Sequence, residues 1–189
     1  MSNFFAYMSR MKYIKRWSLM RSTVSENILE HSGEVAQIAH ALATIANTYY
    51  GESLNADRIG IMGLYHEVSE VITGDLPTPI KYYNPEIKSA YKAIEEVAQN
   101  KLIAMLPTEL QSTYTDAIKP TDREALIVKA SDKISAYLKC IEEVKCGNGE
   151  FKKAQKSLKA TLDSFQLPEV KYFMDKFVPA YSKTLDELD

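Results

Sequence analysis

Apolar residues recur every three or four positions along most of the chain, which is the spacing of amphipathic helices. One stripe runs through Ile28, His31, Val35, Ile38, Leu42, Ile45 and Tyr49. A second stripe runs through Ile127, Ala130, Ile134, Tyr137, Ile141 and Val144. Alternating runs of β-branched residues, which would indicate strands, are nearly absent. The pattern therefore predicts an all-α fold of six or seven helices.

Interruptions of the stripes set the predicted helix boundaries. Ser25 or Asn27 can cap the second helix, and Gly51 ends it. Residues 107–119 are predicted to be irregular or partly helical. The predicted helices cover residues 2–13, 28–50, 55–72, 85–105, 121–145, 150–165 and 168–187.

The third predicted helix has two different faces. Its main apolar face is predicted to consist of Ile61, Leu64, Tyr65, Val68 and Ile72. The opposite face carries Ile59, Met62, Gly63, His66 and Glu70. Glu is rarely buried without a partner, so Glu70 should face either solvent or a polar cavity. Ile59 and Met62 on the same face are large and apolar, which argues against solvent. We therefore expect this second face to meet a polar cavity.

Composition narrows the classes of protein that fit. The 189 residues, 46% hydrophobic and 25% charged, suit one globular domain spanning 1–189. A net charge of −2 argues against a partner that is a nucleic-acid polymer. There is no apolar run of membrane-spanning length and no signal peptide, so no membrane partner is expected. Cys140 and Cys146 are expected to be free thiols in a reducing, cytoplasmic compartment.

The first 25 residues contain five Lys or Arg and no acidic residue. Such a basic start can mark a membrane surface or a transit peptide. The alternative is a helix docked through Phe4, Met8 and Met11, with some of its cations facing an anionic ligand. We favour docking.

Two further residues, His31 and Asp132, suggest chemistry. His31 lies within an apolar stripe, so it is either a core histidine or a ligand that faces the interior. Asp132 lies off the stripe of its helix and is either solvated or a ligand. Together with His66 and a neighbouring carboxylate, these residues suit a divalent first-row metal held by several helices. A zinc-protease motif would need His at the position of Glu70, and no serine lies in a nucleophile elbow.

The order His31, His66-Glu67, Asp132 resembles the His, His-Asp, Asp set of the HD-domain phosphohydrolases. More specifically, the chain resembles the bacterial 5′-deoxynucleotidase family from its N-terminus to Asp186. The segments that carry this resemblance are Lys15–Arg21, Ser25–Ser32, Tyr65–Tyr82 and Ala136–Cys140. The loop Thr73-Gly74-Asp75-Leu76-Pro77-Thr78-Pro79 is the most specific of these matches.

This resemblance implies a single HD-domain helical bundle that forms homodimers. It implies a catalytic role for Glu70 and both phosphate orientation and catalysis for Arg16. Trp17 would lie against the sugar, where a 2′-hydroxyl would be excluded. A divalent metal, cobalt or manganese, would be bound by His31, His66, Glu67 and Asp132. The substrate would be held by Arg16, Trp17, His31, Asp75, Thr78, Pro79, Ile80, Lys81 and Asp132.

The function that the resemblance implies is metal-dependent hydrolysis of deoxyribonucleoside 5′-monophosphates to deoxynucleoside and phosphate. One alternative is an HD phosphohydrolase acting on nucleoside triphosphates or guanosine alarmones. Another is a nucleotide-binding protein with little turnover. The second alternative is motivated by Glu67, because the family has Asp at this position and the glutamate arm is one methylene longer.

Overall fold

The computed structural model of the protein describes residues 1–81 and 83–188. Tyr82, the last residue of one matching segment, and Asp189 lie outside this part. The described residues form ten α-helices and no β-strand, so the prediction of an all-α fold is confirmed. Seven of these helices have nine or more residues. The helices are α1 (Phe4–Met8), α2 (Ile28–Tyr50), α3 (Ala56–Tyr65), α4 (Glu70–Thr73), α5 (Thr78–Lys81), α6 (Pro85–Ile103), α7 (Thr108–Ile118), α8 (Asp122–Lys145), α9 (Lys152–Ser164) and α10 (Pro168–Lys176).

Helix α2 begins and ends at residues with strong local preferences. The Asn27 side chain accepts hydrogen bonds from the backbone N–H groups of Leu29 and Glu30. The Glu30 carboxylate accepts in return from the Asn27 N–H, which completes a capping box. Gly51 follows the helix with φ +73°, a conformation that glycine adopts without strain. Both ends therefore agree with the sequence prediction.

Two hydrophobic clusters build the core. The larger one joins α2, α3 and α8 to α9 and α10, with Leu42, Met62 and Ile134 fully or almost fully buried. The second cluster lies under the N-terminus and includes Ile28, Val68, Phe4, Met8 and Met11. The predicted docking of the N-terminal segment is thus confirmed, although Ser9–Tyr13 form a 3₁₀ turn and α1 is shorter than predicted. In the described residues, every helix is too short or too polar to cross a membrane.

The prediction of one continuous helix over residues 55–72 is wrong. Helix α3 ends at Tyr65, residues 66–69 form a turn, and α4 begins at Glu70. Within the turn, Val68 N–H donates to the Tyr65 carbonyl, three residues back, as in a 3₁₀ turn. Near the break, the Gly63 carbonyl accepts from Nδ1 of His66 at 2.7 Å. The turn therefore changes the direction of the side chains that follow α3, including those of Glu67 and Glu70.

The predicted faces of α3 are also exchanged. Ile59, Met62 and Gly63 are buried, whereas Ile61 is 48% exposed. The cause is the close approach of α3 to α2, which the missing side chain of Gly63 permits. A Cβ atom at this position would lie 2.9 Å from the Cα atom of Ala36. The close contact at Gly63, together with the burial of Ile59 and Met62, therefore decides which face of α3 is inside.

We expect Gly63→Ala to lower the free energy of unfolding by about 1–3 kcal/mol, because the added methyl group must push α3 away from the α2 backbone. Gly33→Ala is the matched control, since nothing lies within 4 Å of a Cβ at that helical position. There the same change should stabilise the protein by about 0.4–1 kcal/mol. Urea unfolding of both variants measures the difference, and a stabilised Gly63→Ala protein would contradict the packing argument.

Candidate metal centre

Four side chains from three parts of the fold converge on one point. His31 comes from α2, His66 and Glu67 come from the turn after α3, and Asp132 comes from α8. One potential ligand atom from each of the four lies within 4.8 Å of all the others. Nε2 of His31 is 3.2 Å from Asp132 Oδ1 and 3.6 Å from Glu67 Oε1. The longer arm of Glu67 thus reaches the centre of the cluster.

Both imidazoles present Nε2 to this centre. Nδ1 of His66 donates to the Gly63 carbonyl, which can only accept, so Nε2 carries the lone pair. Nδ1 of His31 lies 2.8 Å from Oγ of Ser135. Nε2 of each histidine and Oε2 of Glu67 are buried without a hydrogen-bond partner among the described residues. Buried polar atoms without partners are costly, and a divalent cation between them would satisfy all three.

The electrostatics of the cluster also suit a cation. Burial lowers the pKa of His66, which favours the neutral imidazole that binds metals. Burial would raise the pKa of Glu67, but the charges of His31 and Arg16 outweigh it and the net shift is downward. Burial would likewise raise the pKa of Asp132, but the positive charge of the neighbouring Lys133 acts in the opposite direction. The net shift places the pKa of Asp132 well below its usual value. Two ionised carboxylates and the Nε2 atoms of two imidazoles are a typical ligand set for a divalent metal.

Arg16 and Trp17 lie beside the cluster and share one acceptor. Arg16 Nη1 and Trp17 Nε1 donate to the same oxygen, Oε2 of Glu26, at 2.8 and 2.9 Å. Arg16 Nη2 lies 3.9 Å from Oδ1 of Asp132. Burial lowers the pKa of Arg16, but the surrounding carboxylates outweigh this effect and the net shift is upward. A permanently charged guanidinium therefore borders the centre, in the form that binds phosphate oxygens.

The backbone of Trp17 is held in an uncommon conformation. Its φ angle of 60° lies in the left-handed region, which costs free energy for a residue other than glycine. The indole nitrogen is fixed by Glu26, and the ring centroid lies 5.2 Å from that of Phe151. The surrounding structure therefore holds the indole in a defined position next to Arg16.

Glu70 is a buried carboxyl with an unpartnered oxygen, Oε2, within the described structure. Burial, followed by the charges of Glu67 and Asp75, raises its pKa to about 10. All three causes act against the ionised form. A cation bound between the four converging residues would oppose them and favour the carboxylate.

The predicted substrate-binding residues of the loop after Glu70 differ in their exposure to solvent. Asp75 is partly buried. Burial is the main cause that raises the pKa of Asp75, and the negative charge of Glu67 is the second cause. Thr78, Pro79 and Ile80 are exposed on the single turn of α5. Lys81 Nζ donates to Glu95 Oε1 at 2.7 Å and lies over the ring of Tyr91. Helix α6 thus holds the only cation of α5 by a charged hydrogen bond.

Three residues that the sequence analysis did not single out contribute to the site. Glu26 positions both Arg16 and Trp17. Glu34 and Ser135 form a chain of hydrogen bonds that ends at His31. A signal for this chain was present: Glu34 follows His31 by three residues, and Ser135 follows Asp132 by three, which places each pair on one helix face.

Comparisons with known proteins agree with this geometry. The sequence matches the family described as 5′-deoxynucleotidase YfbR-like over residues 3–181. A 5′-deoxynucleotidase of Vibrio vulnificus is 50% identical over 190 residues, covering 99% of this chain and 98% of that protein. A 5′-deoxynucleotidase of Yersinia pestis is 53% identical over 191 residues, covering 100% and 97%.

Solved structures support the fold. An HD-domain phosphohydrolase of Listeria innocua superposes with a TM-score of 0.83 at 25% identity, covering 95% of this chain and 88% of that one. An HD phosphohydrolase of cyanophage S-2L, bound to dA and one catalytic Zn²⁺ ion, superposes with a TM-score of 0.62 at 20% identity, covering 92% and 95%. The resemblance to HD-domain phosphohydrolases is thus confirmed. The chain belongs to the YfbR-like 5′-deoxynucleotidase family.

Proposed function

We infer that this 5′-deoxynucleotidase hydrolyses deoxyribonucleoside 5′-monophosphates at the four-residue centre. His31, His66, Glu67 and Asp132 would hold one divalent cation there. The observation that carries this proposal is the convergence of two unpartnered Nε2 atoms and two carboxylates within 4.8 Å. Nitrogen and hard oxygen donors in this mixture suit a first-row divalent ion, and cobalt or manganese is our proposal for it.

The bound ion would lower the pKa of a water molecule and polarise the phosphoryl group. The rest of the proposed chemistry belongs to side chains around the centre. Arg16 would orient the phosphate through its planar fork of N–H donors. Glu70, in its ionised form, would take the proton of the attacking water. His31 and Asp132, which line the centre, would also border the bound substrate.

The sugar and base of the substrate would lie against the Trp17 side chain and the loop that contains Asp75. Trp17 would exclude a 2′-hydroxyl by occupying its space. Thr78, Pro79 and Ile80 would close over the nucleoside from α5. Lys81 would exchange Glu95 for a phosphate oxygen, since its charge also acts on the carboxyl groups of Glu70 and Asp75. We also propose that the enzyme is a cytoplasmic homodimer.

We expect phosphate release from dAMP, dGMP, dCMP, dTMP and dUMP to exceed release from the matching ribonucleotides, and to require added metal. The assay measures orthophosphate with Co²⁺, Mn²⁺, Zn²⁺ or chelator in parallel. Equal rates on ribonucleotides would refute discrimination against the 2′-hydroxyl. Pyrophosphate or triphosphate as the product would instead identify a nucleoside triphosphate or alarmone hydrolase. No release with any metal would favour the nucleotide-binding alternative.

The position of Glu67 bears on that last alternative. Its Oε1 atom lies 3.6 Å from Nε2 of His31 and 3.7 Å from Nε2 of His66. A side chain that reaches between the two ring nitrogens supports a ligand role despite the extra methylene. A large gain of activity in a Glu67→Asp variant would count against this interpretation.

A further inference from the structure

A chain of hydrogen bonds runs from the candidate metal centre, between α2 and α8, to the partly buried carboxylate of Glu34. Ser135 Oγ lies 2.8 Å from Nδ1 of His31 and 2.5 Å from Oε2 of Glu34. His31 and Ser135 are both almost fully buried, and Glu34 is partly buried. The two bonds join side chains of two different helices, so their geometry depends on how α2 and α8 pack.

The direction of each bond follows from the number of hydrogens available. A serine hydroxyl has one hydrogen, and an ionised carboxylate can only accept. The Ser135 hydrogen therefore goes to Glu34, so the hydroxyl oxygen must accept from Nδ1–H of His31. With its hydrogen on Nδ1, the His31 ring has its lone pair on Nε2, the atom that faces Glu67 and Asp132.

We propose that Glu34 and Ser135 are positioning residues that fix the tautomer and the orientation of His31 for metal binding. The inference rests on the proposed role of His31 as a ligand. Groups that hold the second nitrogen of a metal-binding histidine raise its basicity, and their loss commonly weakens metal affinity by about 10–100-fold. His66 has a backbone carbonyl in this role, which no side-chain substitution can remove. His31 instead depends on side chains that can be changed one at a time.

The test is the dissociation constant of Mn²⁺ or Co²⁺ for the full-length protein, measured by competition with a chromogenic chelator. Ser135→Ala and Glu34→Ala should each weaken binding by about 10–100-fold. Ser131→Ala is the matched control on the same helix, because Ser131 is equally buried but donates to its own backbone at the Ile127 carbonyl. Glu142→Ala controls for charge alone, since that exposed carboxylate acts on Glu34 through its field.

The possible outcomes distinguish the positioning role of Glu34 and Ser135 from the ligand role of His31. If His31→Ala abolishes binding while Ser135→Ala and Glu34→Ala bind as the wild type does, the positioning role is overturned and the ligand role stands. If Ser131→Ala weakens binding as much as Ser135→Ala, the effect is general loosening of α8, and the positioning role is again overturned. If His31→Ala retains full affinity, both proposals fail. Thermal unfolding of each metal-free variant confirms that it is folded, and Glu34→Ala, at a partly exposed position, remains informative if Ser135→Ala unfolds.

Discussion

Replacing Glu70 by Gln should lower kcat by about 10²–10⁴-fold, which is the usual contribution of a general base. The amide has nearly the same shape as the carboxyl, so packing in this buried position is kept. It cannot take a proton from water. Because Glu70 lies outside the set of four converging ligand atoms, metal content should be unchanged. Steady-state phosphate release and metal analysis of the same preparation measure both quantities.

Glu67→Gln is the informative comparison, since it changes a partly buried carboxylate only three positions away. This variant should lose metal as well as activity, because the Glu67 carboxylate is a proposed ligand. The pair therefore separates proton transfer from metal binding. Glu70→Gln protein with wild-type kcat would exclude Glu70 as the base, and loss of its metal would make it a ligand.

His66→Ala should bind metal weakly and lose about 10³-fold or more in kcat/KM. A divalent ion commonly supplies several kcal/mol of transition-state stabilisation, and about 1.4 kcal/mol corresponds to a factor of ten in rate. The substitution removes one buried Nε2 donor from the centre and leaves three of the four proposed ligands. Metal titration and phosphate release at saturating metal measure the loss.

His40→Ala is the control, because His40 is a half-exposed histidine on α2 whose Nε2 lies 3.3 Å from Asp57. It should keep both metal and activity. A chelator should reproduce the His66→Ala defect in the wild-type enzyme, and added metal should reverse it. Full activity of His66→Ala without added metal would refute the proposed metal centre.

The helical periodicity was sufficient to predict the long helices and the inward direction of His31. A histidine inside an apolar stripe must face the core, and the structure shows it fully buried on α2. Asp132 was identified by its departure from a stripe, and it comes to lie 3.2 Å from His31. Periodicity works here because both residues lie within long, regular helices: His31 is the fourth residue of α2, and Asp132 lies near the middle of α8.

Periodicity failed where local geometry overrides helical spacing. The helix predicted over residues 55–72 breaks after Tyr65, at a turn whose His66 ring bonds to the Gly63 carbonyl. The inner face of α3 is set by close backbone contact at Gly63, which a count of large apolar residues does not detect. The Glu34–Ser135–His31 chain depends on the relative rotation of α2 and α8. Such features require tertiary packing and cannot be read from one helix alone.

The proposed ligands also have a consequence for the stability of the fold. His31 on α2 and Asp132 on α8 are far apart in sequence, and His66 and Glu67 lie between them. A cation bound by all four would act as a non-covalent cross-link among three segments that the unfolded chain does not bring together. Binding only to the folded chain stabilises it by about 2.7 kcal/mol when free metal is at 100 times its dissociation constant. The supply of metal in the cell would thus shift the fraction of molecules that are folded, in addition to the rate at which each one turns over.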